Sequence, residues 1–227
     1  MLYTEQNVRD NIRNREGKRV FFLGKGDQLT SGARDLLRRE RIEIRPAEEA
    51  KISVYKLLDG STLTEKPEHM THLHGDILVP KTHPRIVFRG AVDALEAELL
   101  LCQWKCEKFR NELGQILALA RTLIRCDVLN EPVPQGKLCG LTQQEQREHS
   151  HRPQDFYGHP HFMPEYADGE ALLFINRARC AVRHTELIAA RAFSDREGLP
   201  TRPDILRALN RMSSMLYILM IRLKADR

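Results

Sequence analysis

Apolar residues from Ile86 onward recur at alternating steps of three and four along the chain. This spacing places them on one face of an α-helix and predicts helices that pack against one another. The first series extends to Leu123, so it predicts either one long helix or two helices with a tight break between them. Its members are Val92, Leu95, Leu99, Cys102, Cys106, Phe109, Leu113, Ile116, Ala120 and Leu123.

Two further long helices are predicted nearer the C-terminus. Asp168 is a suitable N-cap for a helix that extends to about Ser194. The sequence Thr-Arg-Pro-Asp at 201–204 indicates a capping box, with Pro203 near the start of the next helix. The apolar face of that helix consists of Ile205, Leu209, Met212, Leu216, Leu219 and Leu223.

The first 65 residues carry shorter patterns that predict a small α/β unit. Val20–Leu23 is an apolar run typical of a strand, and Ser31–Arg41 predicts a short basic helix. Segments 51–58 and 61–63 flank Asp59-Gly60, which is a strong hairpin turn signal.

Two segments, 64–85 and 130–168, are rich in proline and lack a helical period, so they predict ordered loops. A capping box at Thr142 predicts a short helix inside the second one. The sequence therefore predicts a mainly α protein. A bundle of about four to five helices occupies residues 66–227, and the small α/β unit occupies residues 1–65.

Composition limits the class of protein. The 227 residues are 41% hydrophobic and 30% charged, which is typical of a soluble globular chain. No apolar stretch is long enough to cross a bilayer, and the polar N-terminus lacks the apolar segment of a signal peptide. The five Cys include no CxxC pair, which predicts reduced thiols. We therefore expect a cytoplasmic protein.

A cluster of cations in the helix after Asp168 is the first candidate site. Arg177, Arg179 and Arg183 lie there, with Glu186 one turn further on. Arg179 and Arg183 are four residues apart, so a helix presents both on one face. Such a face is either solvated, with Glu186 as an ion-pair partner, or a clamp for polyphosphate, because guanidinium donors match phosphate oxygens.

Two polar residues beside apolar faces are further candidates. Asp93 lies near the start of the first helix, where its carboxylate can complement the helix dipole or pair with an Arg from another helix or subunit. Asn210 lies in mid-helix, where an unpartnered amide is unfavourable, which indicates a ligand or a buried hydrogen bond.

Histidine pairs of the form H-x-H invite a metal interpretation. They occur at 72 and 74, at 149 and 151, and at 159 and 161. All lie in proline-rich loops, and no HExxH motif or Cys/His set completes the coordination. We therefore favour structural or exposed histidines and predict no metal site.

Three segments carry a resemblance to a known family. Val79–Leu95 places Lys81 before H-P-R and then G-A-V-D-A-L, Arg179–Glu186 reads R-C-A-V-R-H-T-E, and Arg202–Tyr217 contains N-R-M-S-S. In this order they resemble the ATP:cob(I)alamin adenosyltransferases. The ethanolamine-utilisation branch is the most similar, since it also has motifs like those at Leu29–Leu37, Thr71–Leu73, Gly140–Thr142 and Ser150–Pro153.

The chain also departs from the family pattern. The usual Arg-Arg pair is Arg183-His184 here, and the usual D-E-L-N is Asp93-Ala94-Leu95-Glu96. Some members of the branch bind metal through a Cys-rich element that precedes the T-H-L motif. No Cys precedes Cys102 in this chain, so we do not expect a structural Fe or Zn site.

The resemblance implies a ferritin-like bundle that transfers the 5′-deoxyadenosyl group of ATP to cob(I)alamin, with Mg²⁺ on the phosphates. It implies a homo-oligomer with the active site at a subunit interface, an electron-donating reductase, and a place in ethanolamine catabolism. It also allows association with a bacterial microcompartment. The residues that it implies for ATP are Thr64, Lys66, Thr71, His72, Lys81, Arg85, Arg183, Glu186 and Asn210.

The resemblance also implies the remaining roles. Asp93 and Arg179 form an ion pair that shapes the cleft, and an apolar or aromatic side chain displaces the lower axial ligand of cobalt. Phe162 is our candidate for that side chain, with Met163 beside it and Phe88 behind it.

Other functions stay open at this point. A basic helical module that binds polyanions or nucleic acid is one alternative, although few aromatic residues alternate with the basic ones, so we expect no nucleic-acid partner. A compartment-associated interaction protein without catalytic activity is the other.

Overall fold

The computed structural model describes residues 1–15, 18–50 and 54–226, and this part of the chain divides into two compact units. Unit 1 comprises Met1–Glu68 and Asp76–Leu78, and unit 2 comprises His69–Gly75 and Val79–Arg227. The domain boundary predicted between residues 65 and 66 stays a prediction, because a compact unit need not fold alone.

Unit 1 combines short strands with short helices. β3 lies between β2, which is antiparallel to it, and β5, which is parallel, with Val20 opposite Glu43. The predicted strand at Val20–Leu23 is confirmed, and the helix predicted from Ser31 ends at Arg39 instead of Arg41. The elements are β1 (Leu2–Tyr3), α1 (Glu5–Asn11), β2 (Arg13–Arg15), β3 (Lys18–Leu23), β4 (Gln28–Leu29), α2 (Ser31–Arg39), β5 (Glu43–Pro46), α3 (Ala47–Ala50), β6 (Tyr55–Lys56) and β7 (Thr62–Leu63).

The hairpin predicted at Asp59-Gly60 is confirmed. β6 pairs antiparallel with β7, with Tyr55 opposite Leu63. Gly60 has φ of +86°, a conformation that favours glycine because it has no Cβ. Part of the first predicted strand, residues 51–53, lies outside the described residues.

The prediction of a loop over residues 64–85 was wrong in part. Two strands lie there, β8 (Met70–His74) and β9 (Ile77–Pro80). Leu73 and Leu78 are buried, but the buried residues of β8, Met70 and Leu73, are three positions apart, so β8 lacks the period-two alternation that predicts a strand.

Unit 2 is built of long helices, and the mainly α prediction is confirmed. The break that the sequence left open falls at Cys106, where a short 3-10 helix at Glu107–Phe109 joins two helices. The described helices of this unit are α4 (Pro84–Lys105), α5 (Arg110–Leu129), α6 (Gln143–His151), α7 (Pro153–Tyr157), α8 (Gly169–Ala192) and α9 (Pro203–Ala225).

The core of unit 2 lies between α4, α5, α8 and α9, and the apolar faces of α4, α5 and α9 are the predicted ones. α8 packs against both α4 and α9, so its two sides meet different helices. Leu95, Leu113, Ile175 and Leu216 are among the side chains without measurable exposure or nearly so. In the described part of the chain, no helix is both long and apolar enough to cross a membrane.

Helix starts confirm some of the predicted caps and correct one. α6 begins at the capping box predicted at Thr142, whose hydroxyl accepts a hydrogen bond from the Glu145 amide. The capping box predicted at Thr201 is wrong, because Pro203 is the first helical residue and Arg202 takes the N-cap position. The Thr201 hydroxyl instead donates to the Phe193 carbonyl at 2.9 Å.

Asp204 has a structural role at the start of α9. Its carboxylate accepts hydrogen bonds from the Arg202 guanidinium at 2.9 Å and from the Val133 amide at 2.9 Å. These donors, Arg202 foremost, lower the pKa of Asp204 to about 2. A carboxyl group whose pKa is lower in the folded chain stabilises the fold above its ordinary pKa, and this stabilisation is lost as pH falls from about 4 to about 2.

We therefore expect Asp204→Asn to lower the free energy of unfolding by about 1–2 kcal/mol at pH 7. The difference from wild type should shrink as the pH approaches 2, because Asp204 is then protonated in the unfolded chain and increasingly protonated in the folded chain. Urea unfolding at pH 7 and at low pH measures this, with Asp155→Asn, at an exposed carboxylate, as the control. An equal deficit at both pH values would refute the assignment.

Candidate functional site

A groove of about 770 Å³ lies in unit 2 along α8 and α9. It brings together five residues that the sequence predicted for the site: Arg179, Arg183, Asn210, Phe162 and Met163. The full lining consists of Ser150, His151, His161, Phe162, Met163, Pro164, Asn176, Arg179, Cys180, Arg183, Asn210, Arg211, Ser213, Ser214, Tyr217 and Met220.

The cations of the groove come from one face of α8. Arg179 and Arg183 lie one turn apart, as residues four apart in a helix must. Within the described residues, neither guanidinium forms an ion pair. Arg177 lies elsewhere on the helix and donates to the Glu98 carboxylate of α4 at 2.7 Å. The groove therefore holds two cations that are free to meet an anion.

A polar network joins α8 to α9 at the groove. Asn210 donates through Nδ2 to Glu186 Oε1 at 3.2 Å and accepts at Oδ1 from the Arg211 guanidinium. Arg211 also donates to the Gln143 carbonyl of α6 at 3.3 Å. Burial lowers the pKa of Arg211, and the positive charge of Arg147 acts in the same direction. Asn210 is exposed, so its bond to Glu186 is not the buried hydrogen bond that the sequence led us to expect, and its place beside a ligand stays a prediction.

Aromatic and apolar groups form the other side of the groove. Phe162 is half-buried, and its ring lies 6.0 Å from the Tyr217 ring with an interplanar angle of 22°. The Lys224 ammonium lies 5.3 Å from the Phe162 ring centre. Met163, beside Phe162, is 83% exposed. An apolar ligand in the groove would therefore contact Met163 and the open side of Phe162.

Phe88 does not lie behind Phe162, which corrects that expectation. It is fully buried on α4 and packs edge-to-face against Phe193, with ring centres 5.1 Å apart. Phe193 follows the C-terminal end of α8, whereas Phe162 precedes the start of that helix. Phe88 is therefore a core residue of the bundle.

The residues predicted for the nucleotide segment do not line the groove. Thr71 and His72 lie in β8, and Lys81 is exposed just before α4. Thr64 and Lys66 are exposed residues of unit 1, after β7. Within unit 2, the segment that holds Lys81 and the groove that holds Arg183 are thus separate features.

Arg85 has a partner that the sequence did not reveal. Its Nε donates to Asp127 Oδ1 at 2.8 Å, while Arg89 Nε donates to Asp127 Oδ2 at 2.7 Å. Asp127 has no exposed side-chain surface. Arg89 also donates to the carbonyls of His72 and Leu73 in β8. This cluster ties α4 to α5 and holds β8 in place.

Asp93 is exposed on α4 and does not pair with Arg179 among the described residues. A carboxylate with that exposure is available to a second molecule. Its predicted pairing with Arg179 therefore requires a contact between two copies of the chain.

The prediction that all three histidine pairs lie in loops was wrong for two of them, because His72 and His74 lie in β8 and His149 and His151 lie in α6. His149 Nδ1 lies 2.7 Å from the Tyr157 hydroxyl, and His159 Nδ1 lies 2.7 Å from the Pro160 carbonyl. Among the residues that the structure describes, no three His, Cys, Asp or Glu side chains are grouped to hold a metal ion. Burial raises the pKa of Cys102 to about 12, so this thiol is a core group and not a nucleophile.

Comparison with known proteins shows which family the chain belongs to. A family model described as cobalamin adenosyltransferase matches residues 62–223. The chain belongs to the cobalamin adenosyltransferase family. The corrinoid adenosyltransferase EutT of Salmonella typhimurium is 32% identical over an alignment of 242 residues. The alignment covers 96% of this chain and 90% of that protein. EutT of Escherichia coli is 35% identical over 160 residues, or 70% of this chain and 60% of that protein.

Membership of the adenosyltransferase family confirms the resemblance found in the sequence. The three motif segments and every residue that lines the groove fall within the matched range. The likeness to the Salmonella protein also extends to unit 1.

Among the lining residues of this adenosyltransferase that the sequence did not predict, two contact predicted site residues. Arg211 directly follows Asn210 in the N-R-M-S-S segment, so its position in the motif was a usable signal. Tyr217 ends the longer Arg202–Tyr217 segment, but its contacts are with a loop about 55 residues away in the sequence. No local pattern predicts such a contact.

Proposed function

We propose that the chain transfers the 5′-deoxyadenosyl group of ATP to cob(I)alamin in ethanolamine utilisation and releases triphosphate. One observation carries this proposal beyond family membership. Arg179 and Arg183, which suit an anion, face the same groove as Phe162 and Met163, which suit an apolar ring system.

The reaction needs no nucleophile from the protein. The cobalt(I) lone pair attacks the 5′ carbon of the ribose, so the cobalt–carbon bond forms as the carbon–oxygen bond breaks. The bonding electrons leave with triphosphate. The protein contributes by orienting the two substrates, stabilising the negative charge of the leaving group and excluding water.

The polar residues have distinct roles in this proposal. Arg183 binds phosphate oxygens, and the pair of Asn210 and Glu186 holds the adenosine end of ATP or its phosphates. Glu186 offers oxygen donors, the class of ligand that Mg²⁺ prefers, so its carboxylate would hold the ion that offsets the charge of the leaving group. Arg85 serves through Asp127, which it contacts, rather than through a phosphate.

The nucleotide segment completes the site from another copy of the chain. Lys81 contributes its exposed ammonium for the phosphates, and Thr71 and His72 of β8 belong to the same part of unit 2. Because the Lys81 segment does not line the groove of its own chain, an interface between copies would unite them. Asp93 and Arg179 would pair at that interface.

The Asp93 assignment predicts a joint loss of assembly and rate. Asp93→Asn should lower the rate by about tenfold, because one charged contact of about 1.4 kcal/mol is lost, and should weaken the oligomer. Sedimentation velocity and the initial rate measure the two effects. Glu107→Gln, at an exposed carboxylate near the other end of α4, is the control. An unchanged oligomer and rate would exclude the role.

The chemistry of the cobalamin substrate explains why the groove needs apolar side chains. Cob(II)alamin is hard to reduce while its lower axial ligand stays bound to cobalt. Phe162 would take the place of that ligand, with Met163 beside it, so that an electron-donating reductase can form cob(I)alamin. Association with a bacterial microcompartment belongs to the same proposal.

An anaerobic assay tests the proposed function. The purified protein is mixed with chemically reduced cob(I)alamin, ATP and Mg²⁺. We expect adenosylcobalamin, detected by its light-sensitive absorption spectrum, and triphosphate in equal amounts. The absence of a cobalt–carbon product would refute the proposal.

A further inference from the structure

Tyr217 of α9 contacts several of the groups that face the groove. Its hydroxyl lies 3.0 Å from His161 Nδ1 and 3.4 Å from the Phe162 backbone nitrogen. Its ring stacks on both side chains, and the guanidinium carbon of Arg179 lies 5.2 Å from the ring centre. One side chain thus contacts both the aromatic and the cationic sides of the groove.

The hydrogen bonds around Tyr217 have a definite direction. His161 Nε2 lies 3.1 Å from the His151 carbonyl oxygen, which can only accept. In a neutral imidazole Nε2 therefore carries the proton and Nδ1 accepts. The Tyr217 hydroxyl then donates to His161 Nδ1 and accepts from the Phe162 N–H. Both ends of the hydroxyl are used, and the loop is held at two consecutive residues.

Tyr217 projects from a helix that is anchored in the core of unit 2. Its neighbours in α9, Leu216 and Ile218, are fully buried in the core. A side chain on such a helix positions a loop more sharply than another loop can. The Phe162 segment is a loop between α7 and α8, so its backbone needs this kind of external support.

We propose that Tyr217 is a positioning residue that couples the two substrate sides of the groove. Its hydroxyl fixes the backbone at Phe162, and its ring supports the Arg179 guanidinium. This inference rests on the proposed function, in which Phe162 displaces the lower ligand of cobalt. It assigns to the hydroxyl a role in forming cob(I)alamin and to the ring a role in holding Arg179, which lies one turn from the phosphate-binding Arg183.

The two roles can be separated by substitution. Tyr217→Phe keeps the ring below Arg179 and removes only the hydroxyl. Tyr217→Leu removes the hydroxyl and the ring. Tyr166→Phe is the matched control, since Tyr166 lies between α7 and α8 as Phe162 does and is 94% exposed.

The test compares two starting materials with saturating ATP. Cob(I)alamin prepared by chemical reduction is already free of its lower ligand, whereas cob(II)alamin with a reduced flavin requires ligand displacement first. We expect Tyr217→Phe to lower the rate from cob(II)alamin by about fivefold, the effect of one hydrogen bond, and to leave the rate from cob(I)alamin nearly unchanged. Tyr217→Leu should also raise KM for ATP by about fivefold, through loss of the cation–π contact.

Each outcome decides between distinct claims. If Tyr217→Phe slows the reactions from both starting materials equally, so that the ratio of the two rates stays at the wild-type value, the positioning role is overturned while the proposed function stands. A Tyr166→Phe variant with the same change of ratio would also overturn it. Absence of product from cob(I)alamin with the wild-type protein would refute the proposed function itself, and the positioning role with it.

Discussion

Replacement of Arg183 by alanine is expected to lower kcat for adenosyl transfer by about a hundredfold to a thousandfold. The leaving triphosphate gains negative charge in the transition state, and Arg183 faces the groove without an ion-pair partner among the described residues. Its interaction with the phosphates therefore strengthens as the carbon–oxygen bond breaks. The fold should persist, because the Arg183 side chain is exposed.

Arg177→Ala is the matched control for this prediction. The residue is an arginine of the same helix, but its side chain is 58% exposed and pairs with Glu98 outside the groove. We expect its turnover to stay within about twofold of wild type, as for an exposed ion pair. Near-normal turnover of Arg183→Ala, or equal losses in both variants, would remove Arg183 from the phosphate site. Circular dichroism of both variants verifies the helices.

Replacement of Asp127 by asparagine is expected to lower the free energy of unfolding by about 3 kcal/mol. The carboxylate is fully buried and meets two guanidiniums at 2.7–2.8 Å. Arg85 and Arg89 are themselves mostly buried, so they would keep their charges without a counter-ion. Urea unfolding at pH 7 measures the difference.

The Asp127 cluster also predicts a functional consequence. Arg89 holds the β8 carbonyls, next to Thr71 and His72, so ATP affinity should fall together with stability. Glu96→Gln is the control, because it breaks an ion pair with Arg121 whose side chain is 58% exposed, which is worth less than about 1 kcal/mol. Equal losses of stability in the two variants would contradict the buried cluster.

Long-range periodicity explains what the sequence could predict. The apolar steps from Val92 to Leu123 fix which faces of α4 and α5 are buried, whatever their partners are. Capping at Thr142 was equally local and was confirmed. The capping box predicted at Thr201 was wrong because two start signals overlap there, and Pro203 defines the first helical residue.

The site was predictable only as far as its motifs lie on one helix. Arg179 and Arg183 share a face of α8 by spacing alone. Phe88 was assigned to the wrong place because a sequence does not show which end of an antiparallel helix pair a side chain reaches. The Asp127 cluster and the Tyr217 hydroxyl depend on contacts between distant segments, so no local pattern contains them.

The central claim is that Phe162 displaces the lower ligand of cobalt in the groove. Electron paramagnetic resonance tests it most directly, with cob(II)alamin bound to the wild-type protein in the presence of saturating ATP and without oxygen. We predict that part of the five-coordinate signal is replaced by a four-coordinate signature. Phe162→Ala should lose this signature and still bind ATP. A spectrum identical to that of free cob(II)alamin, at protein and ATP concentrations that saturate binding, would contradict the assignment of the groove.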